Sequence, residues 1–169
     1  MEFFDLIEAR YSVRAYKQDP VEDKKLAQIL EAARMAPTAC NLQPFQFIVI
    51  NTKGKESDLK RIYSQSWFTQ PPLVICACSF PSQSWRRGDG KNYCDIDVTI
   101  AMDHLILAAA NIGLGTCWIG AFDRDAACEI LRLPEGVEPV AFTPVGYPAD
   151  QPGYKSRKPV KEIVRYEQW

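Results

Sequence analysis

Apolar residues occur in runs whose spacing changes along the chain, and that spacing predicts the elements. Glu2–Ala9 reads as a short helix that turns Phe3, Phe4, Leu6 and Ile7 inward and runs straight into the polar stretch Arg10-Tyr11-Ser12-Val13-Arg14. Asp19-Pro20 predicts the start of a second helix with Asp19 as its cap, because an acceptor side chain ahead of a proline suits the unpaired N–H groups of a first turn. Leu26, Ile29, Leu30 and Ala33 then recur at helical spacing until Pro37. Phe45–Ile50 is β-branched and aromatic, as a strand requires, whereas Lys55–Tyr63 is charged except along Leu59, Ile62 and Tyr63, as in a surface helix. Pro72–Cys78 is apolar on both faces, which predicts a central strand, and a polar loop follows from Phe80 to Asn92.

The longest helix is predicted over Asp95–Ile112. It starts polar and becomes apolar all round by Leu105–Ala110, a pattern that a lone surface helix does not tolerate and that predicts burial, in part between subunits. Gly113-Leu114-Gly115 stops it, Thr116–Gly120 reads as a third strand, Arg124–Leu133 as a short helix and Pro139–Gly146 as a fourth strand. From about residue 148 to 169 the chain reads as an extended arm, rich in proline and lysine, whose apolar Val160, Ile163 and Val164 dock elsewhere. No repeat or internal linker divides residues 1–169, so a single domain is expected. Helices separate the strands, yet regular βα units are too few for a doubly wound sheet. The expected class is α+β, one sheet with helices on both faces.

Composition narrows the chemistry. With 169 residues, 47% of them apolar, the chain is long enough for one domain with a real core and short for two. Twenty basic and 21 acidic residues leave a net charge of -1, which supplies no field for a nucleic-acid backbone or an anionic membrane, so neither is an expected partner. Glu2, Asp5 and Glu8 spoil any signal peptide, and no apolar run approaches the roughly 18 residues of a membrane span, so the expected location is cytoplasmic. Cysteines 40, 76, 78, 94, 117 and 128 form no C-x-x-C pair and His104 is the single histidine, which favours reduced thiols over a metal centre. The chain has no G-x-x-x-x-G-K-[ST] and no G-x-S-x-G, and Trp118 stands where a dinucleotide fingerprint begun by Gly113 and Gly115 needs glycine.

What remains is a set of cations and amides at element ends. Arg10, Ser12 and Arg14 lie within five residues and either converge on one anion, most naturally a phosphate, or form a solvated turn paired with Glu8 or Asp19. Lys155-Ser156-Arg157-Lys158 either joins them or is a solvated tail. The loop Pro37–Pro44 either binds a heterocycle or is a turn in which Thr38 and Asn41 satisfy their own backbone. Ser82–Asn92 is a candidate lid carrying Trp85, Arg86 and Arg87, or a solvated loop. His104 reads as a packed or interface histidine and Trp118 as core packing more than as a cofactor contact.

Four blocks carry a more specific signal: Arg10–Tyr16, Ala36-Pro37-Thr38-Ala39-Cys40-Asn41-Leu42-Gln43-Pro44-Phe45, Gly113-Leu114-Gly115-Thr116-Cys117-Trp118-Ile119-Gly120-Ala121-Phe122-Asp123, and Gly146-Tyr147-Pro148 with Lys155–Pro159. In this order, over nearly the whole chain, they resemble the nitroreductase family. The resemblance implies a nitroreductase-like fold, with a mainly antiparallel central sheet flanked by helices, in a domain-intertwined homodimer holding FMN at its interface. It puts Arg10, Tyr11, Ser12 and Arg14 at the FMN phosphate, ribityl chain and pyrimidine edge, with Lys155 and Arg157 adding cations. Pro37, Thr38, Ala39 and Asn41 of the other subunit would line the flavin, and the backbone amides of Gly120 and Ala121 would lie near its N5 and O4. It also implies hydride transfer from NADH or NADPH to a small conjugated acceptor of nitroaromatic or quinone type by ping-pong kinetics, with no side chain acting as acid or base. The segment between Tyr63 and Pro71 departs from larger relatives in lacking an Asn and a Lys that reach the ribityl and pyrimidine groups. The rival expectations are a flavin-binding or redox-sensing protein without turnover, a superfamily branch with other flavin chemistry, and a nucleotide-binding module without flavin.

Overall fold

The computed structural model describes residues 1–169. Its organising element is β2 (Leu73–Ser79), buried at every position, which lies inside a sheet of order β1-β2-β4-β3 with β1 (Phe45–Asn51), β4 (Glu138–Gly146) and β3 (Gly115–Thr116), each pair antiparallel. The expected central strand is therefore central, and the sheet has helices on both faces. Alternation along β2 feeds two cores. Ile75 and Ala77 meet Ile29 and Ala33 of α2 (Asp23–Arg34) and Met102 and Leu105 of α4 (Cys94–Asn111). Val74, Cys76 and Cys78 meet Phe68, Phe142, Leu59 and Ile62 of α3 (Glu56–Ile62), and Ala127 of α5 (Arg124–Leu131). Phe68 and Phe142 are fully buried and pack edge to face, each contributing roughly 1.5–3 kcal/mol through the apolar area removed from water.

The end of α4 sets the sheet edge. Gly113, at φ 80°, lets the chain reverse, so that its N–H donates to the Ala110 carbonyl and the N–H of Leu114 to that of Ala109. Leu114 is thereby buried and β3 begins at once. Against this edge lies an extended strap, residues 10–17. Ser12 pairs with Thr116, the Val13 N–H donates to the Thr116 carbonyl (2.9 Å) and the Lys17 N–H to the Tyr147 carbonyl (2.9 Å). Val13, 1% exposed, fills the space over Gly115, where a side chain would collide with it.

Four expectations need correction. Of Phe3, Phe4, Leu6 and Ile7 on α1 (Phe3–Ala9), only Leu6 is buried, because this short helix leans on the core along a single line; Phe4 is 78% exposed. The second helix starts at Asp23 after Glu22, not at Asp19-Pro20, and has no side-chain cap, since Val21 packs against the core from a non-helical segment. The third strand is Gly115–Thr116 rather than Thr116–Gly120. The Cys117 N–H donates to the Thr143 hydroxyl, which interrupts the ladder, and only Ile119 pairs again, with Phe142. The helix after Asp123 ends at Leu131 instead of Leu133, because Arg132 adopts a left-handed conformation at φ 51°. The arm after Pro148 is extended, with one short helix, α6 (Val160–Ile163), whose apolar Val160 and Ile163 are exposed within the protomer. No helix is long and apolar enough to cross a membrane.

A Cβ at Gly115 would lie 2.7 Å from Val13 Cγ2 and 3.1 Å from Val13 Cβ and Cγ1, and the buried, β-branched Val13 has no room to swing aside. Gly115→Ala is expected to cost about 1–3 kcal/mol in a denaturant titration. Val13→Ala should restore part of the loss in the double variant, and additive costs would show that the two residues do not touch.

Candidate functional site

The strap determines where charge appears. In an extended segment side chains alternate, so burying Val13 on the sheet side leaves Arg10, Ser12 and Arg14 to the opposite side, whereas Tyr16 is buried beyond this alternation with its hydroxyl donating to the Val13 carbonyl. The arm then doubles back across them: the Ala149 N–H donates to the Ala15 carbonyl, and the Lys155 ammonium donates to the Glu8 and Arg10 carbonyls. The result is a cleft of about 360 Å³ lined by Arg10, Tyr11, Ser12, Arg14, Asp150, Tyr154, Lys155, Ser156 and Arg157. Neither Arg10 nor Arg14 forms an ion pair with Glu8 or Asp19. Four cationic side chains therefore face one carboxylate.

That carboxylate, Asp150, gave no signal in the sequence. Its Oδ2 accepts the Arg14 backbone N–H (2.8 Å), and the Tyr11 hydroxyl lies 3.1 Å from its Oδ1. Burial and then the Asp150 contact push the Tyr11 phenol above its usual range. Lys155 moves the other way, pulled down first by desolvation and then by the charges of Arg10 and Arg157. Behind the cleft, burial raises the Cys117 thiol against the opposing pull of Arg14, Ser12 and Arg10.

Within one protomer the other candidate residues stand apart from this cleft. Pro37, Thr38, Ala39 and Asn41 form a tight turn, helical over Ala39–Asn41, in which Cys40, Asn41 and Gln43 all take positive φ (51°, 55° and 51°). For residues with side chains that geometry costs on the order of 1 kcal/mol each and persists only where neighbours enforce it. Some of that enforcement is local: the Thr38 hydroxyl accepts the Gln43 N–H (3.1 Å), as the turn reading required, whereas Asn41 Oδ1 accepts the Gln43 side-chain amide (3.1 Å) rather than a backbone N–H. A longer-range tie comes from Asp97, also missed in the sequence, which lies in the first turn of α4 and is 2% exposed; its Oδ1 accepts the Ala39 N–H at 2.9 Å and its Oδ2 has no partner.

Gly120 and Ala121 are exposed, and Gly120 lines a different cleft with Cys94, Phe122, Arg124 and Glu138. Trp118 is 38% exposed, with its indole nitrogen beside Gly120, so it is not the core packing expected of it; the broken strand at Cys117 turns it outward. In the Ser82–Asn92 loop, Trp85 packs edge-on against Tyr93 and Arg87 pairs with Asp89 (2.6 Å), which leaves Arg86 alone of the three without a side-chain partner. His104 lies in an apolar groove with Phe3, Met35 and Leu107 that shares no lining residue with the charged cleft.

The sequence model of the Nitroreductase family matches residues 7–64 and 59–147. A nitroreductase family protein of Clostridium difficile 630, known from its crystal structure, is 36% identical and superposes with a TM-score of 0.92 over 100% of both chains. The FMN reductase (NAD(P)H) of Bacillus subtilis strain 168 is 28% identical over 174 residues, covering 93% of this chain and 70% of that protein. The NADH dehydrogenase of Thermus thermophilus is 27% identical over 187 residues, covering 92% and 91%. The α+β fold expected from the sequence is thus the fold of these structural neighbours.

Inorganic phosphate is expected to bind the charged cleft. Lys155 must stay protonated to contribute, and its lowered pKa means that affinity falls as pH rises, beginning below the ordinary lysine range near 10.4. Lys155→Met should abolish that alkaline decline in a calorimetric titration. Asp150→Asn removes the one opposing charge and should tighten binding by about fivefold, near 1 kcal/mol.

Proposed function

The chain belongs to the nitroreductase family, and from that membership and the geometry of its charged cleft we propose that it is an FMN-dependent oxidoreductase that carries hydride from NADH or NADPH to a small conjugated acceptor. The observation that carries the reading is the convergence of Arg10, Ser12, Arg14, Lys155 and Arg157 on one cleft. Guanidinium forks, an ammonium and a hydroxyl are the donor set that a phosphomonoester requires, so these residues fit the phosphate end of FMN. In this reading a single domain spans 1–169, its arm from about 148 to 169 completing the cleft.

When bound, FMN supplies a ring atom, N5, that accepts hydride from the nicotinamide and returns it to the acceptor. The residues of this chain bind and orient. The cations fix the phosphate and so set how far the ring reaches. An arginine of the strap would stabilise negative charge on the bound ring, and the exposed backbone at Gly120 and Ala121 would offer it amide donors. Pro37, Thr38, Ala39 and Asn41 come from a second copy of the chain. Two facts support that dimer: one protomer keeps this turn out of its own cleft, and Phe3, Phe4, Ile7 and Met35 leave an apolar surface around the groove that holds His104. Arg86, without a side-chain partner on the Ser82–Asn92 loop, attracts the phosphates of the nicotinamide nucleotide. Nucleotide and acceptor would occupy the same site in turn, for which ping-pong kinetics are expected.

The purified protein is expected to show flavin absorption that NADH or NADPH bleaches without oxygen and a quinone or nitroaromatic restores. Bands that stay oxidised with both nucleotides would favour a flavin-binding protein without turnover, and a colourless protein that takes up no FMN would end the reading. Phe4→Asp should shift elution from dimer to monomer and cost FMN together with the dimer. A monomeric wild type that retains flavin would remove the shared site.

A further inference from the structure

We infer that Asp97 is the positioning residue for the Thr38–Asn41 turn and, through it, for the flavin ring; this rests on the reading above, in which the turn lines the ring.

The turn is strained and shallow. Cys40, Asn41 and Gln43 all hold left-handed backbone, and Cys40, Asn41, Leu42 and Gln43 are exposed, so burial does little to hold them in that shape. Its internal hydrogen bonds, from the Asn41 N–H to the Thr38 carbonyl, from the Leu42 N–H to the Ala39 carbonyl and from the Gln43 N–H to the Thr38 hydroxyl, define its curvature. They do not define its place on the protein. At its far end the Gln43 carbonyl accepts the Phe45 N–H of β1 and the Pro44 carbonyl the Phe80 N–H; at its near end, the bond that joins Thr38–Asn41 to a distant element runs from the Ala39 N–H to Asp97 Oδ1, across 58 residues of sequence.

The anchor is built for rigidity. Asp97 is almost wholly buried in the first turn of an 18-residue helix that packs on both α2 and the sheet, so it cannot follow the turn if the turn moves. The unpaired N–H groups of that first turn favour a negative side chain there. Its Oδ2 nevertheless has no hydrogen-bond partner, so a buried carboxylate oxygen is left unsatisfied while the other is committed to Ala39. A carboxylate placed only to cap its own helix would spend its oxygens on the helix N–H groups. This one reaches away to a segment that carries Thr38, Ala39 and Asn41, and it makes their spacing from α4 invariant.

The charged cleft has no such dependence, because the strap and the arm hold Arg10, Arg14 and Lys155 without Asp97. Loss of the anchor should therefore separate two properties that a general loss of structure would damage together. Three readouts on the full-length protein test this for wild type, Asp97→Asn and Asp97→Ala: hydrogen exchange at the Ala39 amide without cofactor, affinity for FMN, and affinity for inorganic phosphate. In Asp97→Ala the Ala39 amide is expected to exchange at least tenfold faster, and FMN to bind about tenfold more weakly with a shifted visible circular-dichroism band. Phosphate affinity should be unchanged. Asp97→Asn, whose amide oxygen can still accept from Ala39, should restore most of the exchange protection and the flavin band.

Unchanged Ala39 exchange and an unchanged flavin band in Asp97→Ala would overturn the assignment. So would a parallel loss of phosphate and FMN binding in both variants, since that is the mark of a merely structural residue. A wild type that binds phosphate but no FMN would instead reject the flavin reading, and faster Ala39 exchange in Asp97→Ala would still support the anchor.

Discussion

The seating of Val13 over Gly115 governs the charged cleft. A buried, β-branched side chain meets a position with no Cβ, and that fit fixes both the register of the strap on the sheet edge and the side of it that faces outward. A slip of one residue would present Val13 to solvent and bury Ser12 or Arg14. The cleft is therefore a by-product of core packing: hydrophobic burial chooses the register, and the register sorts the cations to one side. Gly113 contributes from the other direction, because its left-handed turn brings Leu114 into the core and delivers Gly115 to the edge where Val13 needs it.

Four cations gathered in one cleft repel one another, and the protein contains that repulsion by several means. Asp150 supplies a counter-charge tied to the strap through the Arg14 amide, backbone carbonyls of Glu8 and Arg10 solvate the Lys155 ammonium, and Lys155 itself holds its proton less firmly than a free lysine. A dianionic ligand relieves the same repulsion more fully than Asp150 can. Preorganised donors of this kind need little rearrangement when the ligand arrives, which is where such sites gain their advantage over water.

Legibility in the sequence followed the range of the forces involved. The apolar run of β2, the helical spacing of Leu26, Ile29, Leu30 and Ala33, and the long apolar stretch within α4 were readable because burial leaves a periodic trace. Arg10, Ser12 and Arg14 were readable because alternate residues of one extended segment share a side. Asp150 and Asp97 were not, since their partners lie 136 and 58 residues away, and an isolated aspartate has no pattern to show that it will face a particular amide. Phe3, Phe4 and Ile7 misled for a related reason: apolar spacing announces that a face will be covered, and nothing in it says whether the cover is the same chain or another. The short third strand depends on a side chain from β4, the Thr143 hydroxyl taking the Cys117 N–H that a longer ladder would have used.

The contacts of Lys155 with the Glu8 and Arg10 carbonyls, 147 and 145 residues apart in sequence, bear on when the cleft comes into being. A ribosome releases the strap first, at about 5–20 residues per second, and the strap has nothing to lie on until Gly115 and Thr116 emerge, nor its upper hydrogen bond until Tyr147 follows. Through most of synthesis Val13 and Tyr16 are therefore without a core, and the cations are dispersed along free chain. The charged cleft is in this sense a record of completion, assembled only on chains that have been made through residue 157, and truncated products that fold their sheet would still lack its cationic roof.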